Sequence, residues 1–274
     1  MIPAAFDYAR AGSVEEAVAL LGLHGDDAKL LAGGHSLLPL MKLRVAAPAV
    51  LVDIGRLADL RYVRDGGDHV AIGALTRHHD LETSDLLERE VPLLRHAAGQ
   101  VGDPQVRHRG TIGGSLAHAD PASDLPAVVL ALGGTLVAAG PGGQRSIAAA
   151  EFFRSIFESA LAPDEVLTEV RLPKVGAQPW AFEKFSRRAQ DWAIVGVAAQ
   201  RNNGTTGVAL VNMGPTPVRA ADAEAALAQG ASAADAAAAA DRGTDPPADL
   251  NASADYRRHL ARVLVARALA RMTG

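Results

Sequence analysis

Residues 99–122 read GQVGDPQVRHRGTIGGSLAHADPA and show neither the period of an amphipathic helix nor the alternation of a strand. An unstructured connection of this length is uncommon in a compact domain and is usually functional. Its centre, Arg109-Gly-Thr-Ile-Gly-Gly-Ser115, combines glycines with hydroxyl side chains. Because glycine lets the main chain approach an anion closely, this segment predicts a loop that binds phosphate through its amides.

A second glycine turn, Ala32-Gly33-Gly34-His35-Ser36, follows a short apolar strand pattern nearer the N-terminus. One such turn alone is typical of an ordinary tight turn. Two together can hold a diphosphate from opposite sides, which favours a dinucleotide as ligand. Neither turn fits Gly-x-x-x-x-Gly-Lys-Ser/Thr or a Gly-x-Gly-x-x-Gly that opens a long helix, so the sequence disfavours a P-loop kinase and a standard Rossmann dehydrogenase.

Two polar clusters follow the glycine segments. Ser123 and Asp124 precede a helical pattern, and Asp124 is expected either to cap that helix or to accept hydrogen bonds from ribose or ribityl hydroxyls. Between two later strand patterns stand Lys184, Asp191 and Trp192. Taken alone, this second cluster favours a charged surface loop with a structural tryptophan, and part of a site is the alternative.

The flanking patterns predict two structural units. Pro173–Pro179 is the best boundary because proline and glycine separate two strand patterns there. After it, three strand patterns predict an antiparallel meander, and alanine-rich helices follow. In the last helix, residues 253–272, the predicted apolar stripe is Tyr256, Leu260, Val263 and Leu264.

Composition excludes several classes of protein. The 274 residues are 49% hydrophobic and 21% charged with a net charge of −4, which argues against disorder and against nucleic acid as the main partner. The absence of cysteine excludes disulfides and Cys-ligated zinc or iron–sulfur clusters in this chain. His78 and His79 are adjacent and therefore lie on different helix faces, and no metal-ligand spacing occurs, so we predict no metal site. The sequence also has no Gly-x-Ser-x-Gly motif, so we predict no hydrolase triad. No apolar run resembles a membrane span or a signal segment, and a cytoplasmic location is expected.

The order and spacing of three segments resemble a known family. Ala32–Ser36, Arg107–Ser115 and Ala119–Pro126 resemble the FAD-binding medium subunit of molybdenum hydroxylases, the carbon monoxide dehydrogenase flavoprotein family, which is similar to the FAD domain of xanthine dehydrogenase. The resemblance covers nearly the whole chain. It implies an α+β fold in which a two-subdomain FAD-binding (PCMH-type) domain, residues 1–174, precedes a smaller C-terminal domain, residues 175–274, with a three-stranded antiparallel sheet and helices.

The resemblance also implies the site residues, none of them catalytic. Both turns would wrap the FAD diphosphate, giving cofactor-binding roles to Ala32, Gly33, Gly34, His35, Ser36, Thr111, Ile112, Gly113, Gly114 and Ser115. Ser123 and Asp124 would contact FAD hydroxyls, and Lys184, Asp191 and Trp192 would lie beside the isoalloxazine. Trp192 stands where other members carry Tyr or an aliphatic residue, and Arg107 and Arg109 would add positive charge near the diphosphate.

By resemblance, the chain is expected to be the FAD-carrying electron-transfer subunit of a heterotrimeric molybdenum hydroxylase. It would receive electrons from a small [2Fe–2S] subunit, with substrate oxidised on a large molybdopterin subunit, in a dimer of heterotrimers. Two alternatives remain at this point. One is a self-sufficient FAD-dependent oxidase or reductase acting on a small molecule, and the other is a transferase that uses the two turns for ATP.

Overall fold

The computed structural model describes residues 1–273, and the helices and strands of this range form three main sheets with helices packed on them. The strands are β1 (Asp7–Arg10), β2 (Ala28–Leu31), β3 (Val50–Asp53), β4 (Val63–Asp65), β5 (His69–Gly73), β6 (Thr135–Gly140), β7 (Gly143–Ala148), β8 (Phe153–Ser155), β9 (Glu158–Ser159), β10 (Val166–Pro173), β11 (Trp180–Phe185), β12 (Val195–Asn202), β13 (Thr205–Val211) and β14 (Val218–Arg219). The helices are α1 (Val14–His24), α2 (Leu37–Lys42), α3 (His78–Glu82), α4 (Asp85–Glu90), α5 (Pro92–Gly99), α6 (Pro104–Arg109), α7 (Ile112–His118), α8 (Asp124–Ala131), α9 (Ala149–Phe152), α10 (Ala221–Ala228), α11 (Ala233–Ala238) and α12 (Ala254–Arg271).

The N-terminal subdomain is a parallel sheet of order β1-β3-β2 covered by α1. The Ser13 hydroxyl accepts the Glu16 amide at the start of α1, and Ala17 and Leu21 on that helix are buried. β2 ends at Leu31, so the first glycine turn emerges at the carboxyl edge of this sheet and leads into α2.

The second subdomain is an antiparallel sheet of order β4-β5-β10-β6-β7. Its core joins apolar side chains of the sheet to those of α5 and α8, such as Leu94 and Val128. The predicted two-subdomain α+β architecture is confirmed.

Residues 99–122 contain two short helices, α6 and α7, where the sequence predicts a continuous loop. Asp103 and Thr111 cap them by accepting the amides of Val106 and Gly114. On α7 only Ile112, Gly113 and Leu116 are buried. A helix of seven residues with so few apolar side chains gives no detectable period, which explains why the prediction failed here.

The C-terminal unit contains the predicted antiparallel strands β11, β12 and β13, and the short strand β14 extends this sheet to four. On α12 the predicted stripe is partly wrong, since Tyr256 is 44% exposed and Arg257 is only 1% exposed. The Arg257 guanidinium donates to Asp249 Oδ2 at 2.7 Å and to the Ile194 carbonyl. Its charge is therefore paired inside the unit, which a hydropathy pattern does not detect.

The C-terminal unit packs tightly on the second subdomain. Arg219 donates to the carbonyl of Leu130 at 3.3 Å, and Phe182 belongs to the same buried apolar core as α8. Within residues 1–273 no helix is both long and apolar enough to cross a membrane, and these residues contain no group of three or more acidic or histidine side chains placed to bind a metal ion.

Candidate functional site

The two glycine turns are in direct contact. A Cβ placed on Gly33 would overlap the carbonyl oxygen of Arg109 and lie 3.0 Å from the Gly110 Cα. Both neighbouring atoms are main chain, so neither can move aside as a side chain can. Gly33 is therefore required by the close approach of the two turns.

The first turn presents a row of free main-chain donors. No acceptor within residues 1–273 receives a hydrogen bond from the amides of Gly33, Gly34, His35 or Ser36. Gly34 adopts φ +77°, a left-handed conformation that favours glycine, and His35 Nδ1 lies 3.1 Å from the Gly33 carbonyl. Consecutive amides in such a turn form an anion-binding concavity. The first turn is thus the amide-exposing turn that the sequence predicts, and anion binding by it stays a prediction.

The second turn differs from the prediction, because it forms the start of α7 and its amides are occupied. Two of these amides donate to the preceding segment: Ile112 to Thr76 O at 3.0 Å and Gly113 to Ala74 O at 2.8 Å. The next two donate to Thr111: Gly114 to its Oγ1 at 3.1 Å and Ser115 to its main-chain O at 3.0 Å. What this turn offers a ligand is the Thr111 amide, which has no acceptor in the described residues, and the hydroxyls of Thr111 and Ser115. Ile112 and Gly113 shape the turn instead of donating from it.

Three arginines converge beside the contact between the turns. The Leu75 amide donates to Leu60 O at 2.8 Å and the His78 amide donates to Gly110 O at 3.0 Å. These bonds bring the segments that carry Arg61, Arg77 and Arg109 side by side. Burial lowers the pKa of Arg77, and the neighbouring charges of Arg61 and then Arg109 add to that effect. We call these three residues the arginine cluster.

From the sequence, Arg107 and Arg109 are both expected to add positive charge near a bound diphosphate, but of the two only Arg109 lacks an acidic partner within the described residues. Arg107 Nε donates to Glu82 Oε2 at 2.8 Å and its Nη1 donates to the Val101 carbonyl at 3.2 Å, so its charge is compensated within the protein. Arg61 and Arg77 were missed because only the pairing of distant segments places them here.

His78 lies buried beneath the second turn, while its neighbour His79 is exposed, as predicted for different helix faces. The His78 ring is so close to Gly110 that a Cβ there would lie 2.7 Å from its Cδ2. Its Nδ1 has no hydrogen-bond partner within the described residues. Burial lowers the pKa of His78 to about 4, with minor contributions from His35 and Arg107. The imidazole is therefore neutral at physiological pH.

The burial of His78 predicts that the folded protein loses stability in acid. Below pH 6.5 the imidazole of residue 78 binds a proton in the unfolded chain, but in the folded chain it does not do so until about pH 4. The contribution of neutral His78 to stability is therefore complete above pH 6.5 and is lost as pH falls towards 4. We expect His78 to account for a loss of about 3 kcal/mol in the free energy of unfolding between pH 6.5 and 4. Denaturant unfolding of wild type and His78→Gln across this range measures it. Parallel pH profiles for the two proteins would rule it out.

Asp124 and Lys184 form a buried ion pair between the second subdomain and β11. Lys184 Nζ lies 2.7 Å from Asp124 Oδ2 and 3.0 Å from the carbonyl of Gln100. Burial raises the pKa of Asp124 to about 6, although Lys184 opposes the shift. Asp124 Oδ1 is buried and has no partner within residues 1–273. Buried polar atoms are normally hydrogen-bonded, so this unsatisfied acceptor indicates a partner outside the described residues.

The alternative capping role of Asp124 is wrong. Asp124 is the first residue of α8, and its carboxylate pairs with Lys184 instead of with a main-chain amide. Ser123 occupies the N-cap position, but its hydroxyl makes no capping bond. Ser123 therefore keeps a free hydroxyl beside Asp124.

A cleft of about 440 Å³ adjoins this ion pair. It is lined by Gly99, Gln100, Gly102, Pro104, Arg107, Lys184, Ser186, Ala189 and Gln190. One wall is formed by residues 99–107, from the end of α5 into α6, and the other by Lys184 and the strap, the name we give to residues 186–194 between β11 and β12. The volume falls in the range of about 300–1,000 Å³ that is usual for small-molecule sites.

The structure does not bring Asp191 and Trp192 into this cleft. Asp191 Oδ2 lies 3.0 Å from Arg188 Nε, and Trp192 is 61% exposed. The strap is anchored at its end, where Asn212 Nδ2 donates to the Ala193 carbonyl at 2.9 Å and Arg257 donates to the Ile194 carbonyl. Ser186, Ala189 and Gln190 are the strap residues that line the cleft, and sequence reasoning did not select any of them.

Comparison with known proteins matches almost the whole chain to two families. Residues 4–175 match the family described as the FAD binding domain in molybdopterin dehydrogenase, and residues 180–272 match the CO dehydrogenase flavoprotein C-terminal domain. The carbon monoxide dehydrogenase medium chain of Hydrogenophaga pseudoflava is 44% identical over 98% of this chain and 97% of its own length. The 6-hydroxypseudooxynicotine dehydrogenase complex subunit alpha of Paenarthrobacter nicotinovorans is 42% identical over 99% of this chain and 95% of its own length.

A solved structure shows the same fold. In carbon monoxide dehydrogenase from Hydrogenophaga pseudoflava, lacking the Mo-pyranopterin moiety of its cofactor, one chain matches with a TM-score of 0.95 and 45% identity. The match covers 100% of this chain and 99% of the other.

Proposed function

The chain belongs to the family of FAD-binding medium subunits of molybdenum hydroxylases, and we propose that it passes electrons from iron–sulfur clusters of a partner subunit to an acceptor outside the complex. One observation carries the proposal for this chain itself. The four amides of residues 33–36 have no acceptor within residues 1–273, and Gly33 packs against the second glycine turn, in a family whose first domain binds FAD.

The residues present fit FAD. The amides of Gly33–Ser36 would hold the diphosphate, the Thr111 and Ser115 hydroxyls would hold it from the second turn, and the unpartnered Asp124 Oδ1 would accept from a sugar or ribityl hydroxyl. Ala32 leads into the first turn, and Ile112, Gly113 and Gly114 give the second turn its shape. FAD, when bound, supplies the chemistry that converts single-electron transfer into two-electron transfer.

The other residues of the site would orient the cofactor and limit water access. Lys184 fixes the Asp124 carboxylate and ties β11 to Gln100, which sets the width of the cleft. The strap would cover one side of the isoalloxazine, with Asp191 holding its fold through Arg188 and Trp192 lying at its outer surface. No acid, base or nucleophile is required of this chain, because the oxidation of substrate would occur on another subunit.

The partners follow from what the chain lacks and from its relatives. The chain has no cysteine, so it cannot hold iron–sulfur clusters through thiolates. Its relatives are named medium chain and complex subunit. We place it in a cytoplasmic complex with a small [2Fe–2S] subunit and a large molybdopterin subunit, assembled as a dimer of heterotrimers. Its FAD-binding domain would end at residue 174 and its C-terminal domain would begin at residue 175.

Flavin binding and dependence on partners test this proposal. The full chain is expected to bind FAD, to turn yellow and to release the flavin unchanged on acid precipitation, because no covalent attachment is proposed. A reduced donor should reach an acceptor at an appreciable rate only when the partner subunits are present. Absorption spectra and turnover assays measure both results. A colourless chain that ignores added FAD contradicts the proposal, and oxidation of a small molecule by the isolated chain would favour a self-sufficient oxidase instead.

A further inference from the structure

The two sides of the diphosphate site differ in how they supply positive charge. The first turn offers four amides without acceptors, whereas four consecutive amides of the second turn are occupied within the protein. An anion held between the turns would therefore meet a weak donor set on the second side. The Thr111 amide and two hydroxyls remain there, and none of these carries a full charge.

The arginine cluster lies on that weaker side. Arg109 immediately precedes Gly110 and contributes the carbonyl against which Gly33 packs. Arg77 is opposite Thr111 in an antiparallel bridge, and its Nη1 donates to the His108 carbonyl at 2.6 Å. Arg61 joins them through the pairing of residues 60–62 with residues 73–76. Arg61 and Arg109 are exposed and Arg77 is half-buried.

The charges of the cluster are not balanced by ion pairs. None of the three guanidinium groups makes an ion pair with an acidic side chain in the described part of the protein, whereas Arg107 next to them does. The one acidic group bonded to these residues is Asp80, whose Oδ2 accepts the main-chain amide of Arg77 at 3.3 Å. The charge of Asp80 opposes only part of the repulsion at Arg77. Three like charges without an ion pair of their own destabilise one another, which indicates a ligand of opposite charge.

We propose that Arg61, Arg77 and Arg109 bind the diphosphate of FAD from the side of the second turn and take the place of the missing main-chain donors there. This inference rests on the proposed function. A diphosphate matches the cluster in kind, because guanidinium groups form strong charge-assisted hydrogen bonds to phosphate oxygens. The position of the cluster also suits a diphosphate, because the cluster and the free amides of the first turn lie beside the same contact between the two turns. An acidic surface on a partner subunit would fit the charge but would give the free amides no role.

The test is FAD affinity as a function of salt concentration. FAD titrations of the full chain, followed by flavin fluorescence, compare wild type with Arg77→Gln and with the triple variant Arg61→Gln, Arg77→Gln, Arg109→Gln. Because part of the cluster is exposed, we expect the dissociation constant to rise about 5-fold for the single variant and about 100-fold for the triple variant at low salt. The salt dependence of FAD affinity should flatten in the triple variant, since it loses the charges that salt screens. Arg267→Gln removes an equal charge from an exposed position on α12 and should leave both quantities unchanged.

Three results would overturn the inference. One is an unchanged dissociation constant in the triple variant, even if association with partner subunits is weakened. Another is a loss of affinity that is equal at all salt concentrations, which indicates structural damage. The third is a loss of FAD affinity in Arg267→Gln as large as that in the triple variant, which would indicate an effect of net charge and not of the cluster. A wild-type chain that does not bind FAD would instead contradict the proposed function, and the two failures are thereby distinguished.

Discussion

Gly33→Ala is expected to weaken FAD binding by about 100-fold or more while the chain remains folded. The added Cβ would overlap the Arg109 carbonyl and press on the Gly110 Cα, so the two turns must separate. Separation moves the free amides of the first turn away from the second turn, and both sides can no longer hold one diphosphate. Overpacking of this kind costs about 1–3 kcal/mol of stability, which a chain of this size tolerates.

A control within the same subdomain makes the Gly33 result specific. Gly22 lies on α1 with no atom within 4 Å of an added Cβ, so Gly22→Ala should leave FAD affinity unchanged and raise helix stability slightly. FAD titration and thermal melting of both variants give the comparison. If Gly33→Ala bound FAD as tightly as Gly22→Ala, the close contact of the turns would not matter for the ligand.

The second large effect is expected from the buried ion pair. Lys184→Met leaves the Asp124 carboxylate buried without its partner, and such a change costs about 3–5 kcal/mol. The loss should be greater at pH 8 than at pH 5.5. In the variant the pKa of Asp124 rises further because Lys184 no longer lowers it, so the folded variant binds a proton that the unfolded chain does not bind. Stability of the variant relative to wild type therefore falls as pH rises.

Two further variants serve as controls for Lys184→Met. Lys174 pairs with Asp65 at 2.6 Å on the surface, and Lys174→Met should cost about 1 kcal/mol or less, because exposed pairs contribute little. Adding Asp124→Asn to Lys184→Met removes the unpaired charge and should restore part of the stability at pH 8, but FAD affinity should stay low because the carboxylate acceptor is lost. Chemical denaturation at both pH values measures these differences. Equal destabilisation by Lys184→Met and Lys174→Met would contradict the importance of burial.

The features of the site that the sequence predicts correctly are those that depend on local backbone chemistry. Gly33 and Gly34 predict a turn that exposes amides, and the structure has that turn. The second glycine segment misled the prediction because glycine pairs look alike whether they form a loop or the first turn of a helix. Thr111 is the signal that could have separated the two cases, since it caps α7 through the Gly114 amide.

The features that the sequence does not predict depend on contacts between distant segments. Arg61 and Arg77 join Arg109 only through strand pairing, and Lys184 reaches Asp124 across 60 residues of chain. Arg257 resembles an exposed helix residue in the sequence, yet it is buried because Asp249 and the Ile194 carbonyl compensate its charge. A pattern of hydrophobic residues carries no information on such pairs. Resemblance to the family therefore predicted the cofactor, and the structure was needed to assign donors and charges around it.

A crystal structure of the full chain with FAD bound tests the central claim most directly, namely that a diphosphate is held where the first glycine turn meets the second. We expect phosphate oxygens within about 3 Å of the amides of residues 33–36, with the flavin ring directed towards the cleft beside Lys184. FAD bound elsewhere on the chain, or a diphosphate that makes no bond to these amides, would contradict the account.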